Sequence, residues 1–300
     1  IGTNADAPNK FKGTFNGNNH CVTNLKVVQE AGYHAAGFFG ALNGSVQDLV
    51  FNYATVKNIS SGSATDNGTA IVAGSVYPGG IVSNVYVKNS QVSANRYVGG
   101  VVGYAYGEIS GCKVENSTVV AKMDNLSGTL DNGDKVGGIV GYMASESKYA
   151  LSNNIVTNCY IEAERDVAGI VGVLSGVYQF ENNYVENTSI VYHSTKSYET
   201  ASLIVSQRIA CVIPQSNVAK NTTIKLIALS VENLFDALKT DQEVVLGSDV
   251  VAGATSAGYN KSGIVLNGNT LDGNGYSLFV DGANSTWDCA VYHQGGTIKN

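Results

Sequence analysis

The sequence predicts an all-β chain: a right-handed parallel β-helix, a solenoid of about six coils, followed by a short helix and the start of a second β-helix-like module. Three observations predict it. A glycine-rich quartet of small and apolar residues returns at intervals near 30 residues; each copy is followed by apolar residues alternating with polar ones; and Asn, Gly and Ser interrupt the alternation at recurring places.

The copies run in order. "AAGFFGALNGSVQDLVFNYATV" (35–56), "TAIVAGSVYPGGIVSNVYVKNSQV" (69–92), "YVGGVVGYAYGEISGCKVENSTVV" (97–120), 136–163 and 167–191 share one plan, and 201–224 is a degraded sixth copy. The anchors of the quartets are Gly37, Ala70, Gly100, Gly138 and Gly169, separated by 33, 30, 38 and 31 residues. The second glycines, Gly40, Gly103, Gly141 and Gly172, complete a wall where the backbone turns tightly and approaches closely. In the strands that follow, the spacing places Leu25, Leu49, Val85, Cys112, Cys159 and Asn183 in one stacked column and Val27, Phe51, Val87, Val114, Ile161 and Val185 in the next. Parallel coils about 4.8 Å apart put equivalent side chains on top of one another, which is why such columns are expected. A third column, Asn89, Asn116 and Asn187, interrupted by Ala163, reads as a corner ladder, because Asn tolerates the left-handed bend.

Near residue 226 the pattern changes, dividing the chain into 1–225 and 226–300. Ser230 can cap a short helix whose Val231, Leu234, Phe235 and Leu238 make one apolar stripe. Strand-like "EVVLGSDVVAG" and "GIVLNGNTLDGNGYSLFVDG" follow, and "GGTIKN" begins what reads as a further coil. With no Met at Ile1 and a coil begun at Asn300, the expectation is a trimmed or mature piece of a protein that continues past one or both ends.

The stretch "KFKGTFNGNNHCVTNLKV", followed by "AGFFGALNGSVQDLVF" and the repeated "VGGIVG", resembles the GLUG-motif repeat family, over about residues 10–224. That family is known from bacterial cell-surface and secreted proteins, and from non-catalytic regions of proteins named as IgA peptidases. "AIVAGSV" and "SLIVSQR" depart from the pattern by replacing glycines. The resemblance implies a non-catalytic, bacterial, secreted or surface-exposed repeat protein.

Composition narrows the function classes. At 44% hydrophobic and 14% charged, the chain is not a disordered tail. A net charge of −6 supplies no basic footprint for nucleic acid, and no apolar run is long enough for a membrane span. Five cysteines at 21, 112, 159, 211 and 289 form no metal-binding pair, so buried free thiols are expected; Cys112 and Cys159 sharing a column leaves a disulfide as the alternative. His20, His34, His193 and His293 are scattered, with no metallopeptidase helix motif, and no serine-hydrolase elbow occurs. No cofactor or metal is expected. The glycine quartets recur in every coil and precede strands, whereas a phosphate loop occurs once and precedes a helix.

Two sets of residues are candidate contacts. Tyr86, Tyr160 and Tyr184 align as an outward stripe able to stack on sugar rings, or simply to shield the sheet. Asp124, Asp131 and Asp134 cluster in the insertion "KMDNLSGTLDNGDK" (122–135), without calcium-loop spacing, and read as a solvated loop. The expected function is an adhesin-like stalk binding a host or bacterial surface glycan or protein, with contacts from the sheet faces and from loops near 60–69, 120–135 and 143–150. The alternatives are a polysaccharide lyase or glycosidase, which needs paired carboxylates in one groove, and an accessory region of a peptidase.

Overall fold

The computed structural model describes residues 9–30, 35–59, 67–121, 133–144, 149–176, 179–193, 201–209, 213–228, 234, 238, 243–253, 264–266, 268–281, 291–292 and 295–300. Among them the regular elements are nearly all strands and every strand pairing is parallel, giving a β-solenoid of about seven turns. Contacts divide the chain into two compact units, residues 1–190 with 200–223, and residues 191–199 with 224–300.

One coil shows the plan. Its strands are Arg96–Gly99, Val102–Ala105, Glu108–Ser110, Lys113–Glu115 and Thr118–Ala121. Each pairs with its counterpart in the coils on either side: Val114 lies between Val87 and Val156, and Val119 between Val92 and Ile161. The inward column is therefore Val22, Phe51, Val87, Val114, Val156 and Val185, and the last five are fully buried. Val27 and Ile161, assigned to this column by the sequence spacing, belong to the next one, with Val56, Val92 and Val119.

The reason is a five-residue sub-period. Inward apolar residues fall at 82, 87 and 92, at 109, 114 and 119, at 151, 156 and 161, and at 180, 185 and 190. Two residues after the first and second of each trio the backbone turns left-handed. Asn84, Gly111, Asn153 and Asn182 make one corner; Asn24, Tyr53, Asn89, Asn116, Asn158, Asn187 and Asn221 make the other, with φ between 46° and 58°. Asn takes this conformation with little steric cost, so a left-handed bend every five residues curls the wall. Asn158, rather than Ala163, is the fourth coil's member of the second corner. The corner residues are linked through the backbone: Asn89, Asn116, Asn158 and Asn187 each donate their N–H to a carbonyl of the next coil at 3.1 Å.

Immediately after each corner a side chain turns inward and joins a ladder. Asn154 and Asn183, both fully buried, and Asn217 form the first. The Asn154 amide donates to Asn183 Oδ1 at 3.0 Å, and the Asn183 amide to Asn217 Oδ1 at 2.9 Å. The Cys112 N–H donates to Asn154 Oδ1 at 3.0 Å. At the second corner Ser90, Ser117, Cys159 and Thr188 share a position: Ser90 N–H donates to Ser117 Oγ at 3.1 Å, and Cys159 N–H to Thr188 Oγ1 at 3.3 Å. Polar groups inside a dry solenoid are tolerated because each rung satisfies its neighbour. Cys112 and Cys159 thus occupy different ladders, and both are buried free thiols. Cys21 is also free but exposed, against the expectation of burial.

The glycine quartets pack as two facing walls. A Cβ on Gly138 would sit 2.2 Å from the Gly169 carbonyl oxygen, and one on Gly172 would sit 2.5 Å from the Val136 nitrogen. Gly100 stands in the same relation to Gly138, as does Gly141 to Val98. Register corrects two anchors: Ala70 pairs with Gly99, not Gly100, so Gly37 and Ala70 share a rung position with Gly99 and Gly137.

In the second unit Lys225, Glu243, Thr270 and Thr297 stand in register on successive parallel strands. Lys299 bridges Glu243 Oε1 at 2.6 Å and Asp272 Oδ2 at 3.4 Å. The short helix expected at 230–238 falls mainly outside the described residues and is not among the elements found. Leu234 and Leu238, which are described, are both buried, and Leu238 donates its N–H to the Leu234 carbonyl at 3.1 Å.

Candidate functional site

The expected tyrosine stripe does not form. Tyr86 and Tyr184 stand in one outward column with Lys113 and Ile155 between them, but Tyr160 pairs with Thr118, one corner further on. The slip is again five residues. The phenols are also engaged. Tyr86 donates to the Glu115 carboxylate, and Lys113 and Lys88 lie 4.9 and 5.4 Å from the centre of its ring. Lys220 lies 5.8 Å from the Tyr184 ring. Tyr160 donates to Glu162 Oε2 at 3.1 Å, and partial burial together with that carboxylate pushes its phenol pKa upward. Tyr160, 37% exposed, keeps the most open ring of the three.

The acidic insertion is corrected at Asp134. Instead of lying in a solvated loop, it opens the strand Asp134–Gly137 and is fully buried, in register between Arg96 and Arg165. Its carboxylate meets Arg96 Nε at 3.1 Å, Arg165 Nη2 at 3.3 Å and the ammonium of Lys135. Surrounding one buried carboxylate with cations is how a charge survives burial. The aromatic group beside it was not expected from the sequence: the Arg96 guanidinium lies 4.4 Å from the Tyr97 ring centre, and Tyr97 packs edge-on against Tyr104 and Tyr142, which stack at 4.9 Å. Tyr97, Lys135 and Asp166 share a third left-handed corner, with φ of 51°, 59° and 51°. Asp124 and Asp131 lie outside the described residues, as do most of the three loops expected to make contacts. Among the described residues no group of three or more His, Cys, Asp or Glu side chains could hold a metal, and no helix is long and apolar enough to cross a membrane.

A cleft of about 320 Å³ on the outward face crosses the strands Thr55–Asn58, Gln91–Ala94 and Thr118–Ala121. Thr55, Gln91 and Thr118 form one row in register, and Lys57, Ser93 and Val120 another. Val56 and Val92, whose side chains point into the core, lie beneath it, and Ile59, 42% exposed, stands at one end. Tyr160 and Glu162 extend the two rows onto the next rung. Among the described residues that line the cleft there is no carboxylate and no histidine.

The third coil decides the family comparison. Residues 94–120, which span that coil from the end of one strand to the last strand of the turn, match the model of the GLUG motif. The chain carries a GLUG motif. The GLUG stretch contains Gly99, Gly100 and Gly103 of the packed walls, the three left-handed corner residues Tyr97, Gly111 and Asn116, and the laddered Cys112 and Ser117. A 95-residue stretch is 38% identical to Halomucin of Haloquadratum walsbyi, covering 31% of this chain and 1% of that much longer protein. A solved structure from Bacteroides ovatus, described as a "putative immunoglobulin A1 protease", aligns over 75% of this chain and 65% of its own, with 19% identity and a TM-score of 0.43.

Proposed function

We propose that this GLUG solenoid is a non-catalytic section of a secreted or cell-surface protein, an adhesin-like scaffold that presents its sheet faces to a glycan or protein partner. The observation that carries the reading is the division of labour within a rung. Inward positions repeat Val, Asn, Ser and Gly, whereas outward positions such as Tyr86, Lys113, Ile155 and Tyr184 change from coil to coil. A solenoid that conserves its interior plan and varies its face is suited to display and recognition. The similarity of part of the chain to Halomucin supports an extracellular setting, and the described residues of the cleft lining, which include no carboxylate, support binding over hydrolysis.

Protease shaving of intact source cells, followed by mass spectrometry, tests the location: peptides of this chain are expected among those released. Their recovery only after lysis would overturn the reading. Incubating the purified chain with IgA and with polysaccharides is expected to leave both intact, and cleavage of either would overturn the non-catalytic part.

A further inference from the structure

We infer that the cleft across Thr55–Asn58, Gln91–Ala94 and Thr118–Ala121 is a saccharide-binding site for a chain containing uronic acid, with Lys57 meeting the sugar carboxylate. This deepens the reading of the solenoid as a binding scaffold and rests on it. The argument begins with unsatisfied polar groups. Thr55, Lys57, Gln91, Ser93 and Thr118 line the cleft, and their side chains make no hydrogen bond or ion pair within the protein among the described residues. One rung beyond the cleft, by contrast, Tyr160 is paired with Glu162. Unpaired hydroxyl and amide groups gathered in a concavity match a ligand that offers hydroxyls of both polarities.

Register gives the geometry. Rungs about 4.8 Å apart, with outward residues about 6.6 Å apart along each strand, make a grid on the scale of single sugar rings. Thr55, Gln91 and Thr118 form one line of the grid, while Lys57 and Ser93 begin the other. Ile59, 42% exposed, supplies an apolar patch for the C–H face of the ring. Charge selects among saccharides. Lys57 is an unpaired cation in a lining without a carboxylate among its described residues, so an anionic substituent gains a partner there and a neutral sugar does not. Along this row of the grid toward the later coils, the first acid, Glu162, is three rungs from Lys57.

Calorimetric titration of the whole 300-residue chain with an oligogalacturonate, and with a neutral oligosaccharide of equal length, tests the site. The oligogalacturonate is expected to bind more tightly, and its affinity to fall as salt is raised. Lys57→Gln is expected to weaken it about fivefold, the scale of one exposed charge pair, while leaving the affinity for the neutral sugar unchanged. Gln91→Ala should weaken both. Lys57 and Gln91 are exposed, so neither substitution touches the core. Equal affinity for the neutral sugar, insensitivity to Lys57→Gln, or no binding at all would overturn the site while leaving the scaffold reading in place. Shortening of the oligogalacturonate during the titration would overturn the non-catalytic reading instead.

Discussion

Asn183→Ala is the most severe test of the internal ladder. Asn183 is fully buried, and its amide joins three coils. Oδ1 accepts from the Asn154 backbone N–H at 3.1 Å and from the Asn154 amide at 3.0 Å; Nδ2 donates to Asn217 Oδ1 at 2.9 Å and to the Leu151 carbonyl at 3.0 Å. Truncation leaves the Asn154 N–H and the Leu151 carbonyl without these partners in a dry interior. At about 1–3 kcal/mol for each stranded group, plus the small cavity, the loss is about 3–5 kcal/mol. A domain of ordinary stability, about 5–15 kcal/mol, would lose a large part of it. Urea unfolding followed by far-UV circular dichroism measures the loss. Because neighbouring rungs share the bonds, Asn154→Ala combined with Asn183→Ala should cost less than the sum of the two by about 1 kcal/mol or more. A loss below about 1 kcal/mol for Asn183→Ala, or strict additivity, would refute the idea that the ladder acts as a unit.

The same structure makes three further predictions. Gly138→Ala places a Cβ 2.2 Å from a backbone oxygen that cannot swing aside, and should cost about 3 kcal/mol or more by thermal or urea unfolding; wild-type stability would exclude the packed-wall account. Tyr53, exposed with φ 54°, holds a left-handed corner occupied by Asn in six other coils, and its N–H donates at a longer 3.3 Å; Tyr53→Asn should stabilise by about 0.5–1 kcal/mol, and a destabilised variant would argue against the corner assignment. Burial raises the thiols of Cys112 to about 12 and Cys159 to about 11 from a usual 9.0. The folded state then holds protons that the unfolded chain releases, so the contribution of these thiols to stability is full below pH 9 and declines as pH rises from there toward 11–12. Denaturant midpoints across that range should fall less steeply in Cys112→Ala with Cys159→Ala, and an unchanged slope would count against thiol linkage.

The class of fold was legible because repetition survives sequence variation: any one coil is ambiguous, but six in register are not. The detailed register was less legible, for a physical reason. With an inward residue every five positions and a left-handed corner between, sliding a strand by five preserves the alternation, so Val22 is interchangeable with Val27 and Val156 with Ile161 on hydrophobicity alone. The discriminating signal was the pair of residues at each corner. Asn89-Ser90, Asn116-Ser117, Asn158-Cys159, Asn187-Thr188 and Asn221-Thr222 mark one corner; Asn153-Asn154 and Asn182-Asn183 mark the other. Reading the corner pairs places Cys159 with the hydroxyls, Cys112 with the asparagines, and Tyr160 in register with Thr118, one rung beyond the cleft.

The candidate site was less legible than the fold because its residues carry no distinctive chemistry singly. Thr55, Gln91 and Thr118 are ordinary polar residues 36 and 27 positions apart, and only correct register brings them into one row. Asp134 shows the converse: conspicuous beside other acids in sequence, it is consumed inside the fold by Arg96, Lys135 and Arg165. In a solenoid, then, conspicuous charge is a weak guide to the surface that binds. Stacking supplies a partner to any side chain whose neighbours one rung away complement it, and recognition falls to positions where the rungs fail to complement one another. The cleft around Lys57 is such a position, since among its described lining residues Thr55, Gln91, Ser93 and Thr118 offer it no charge.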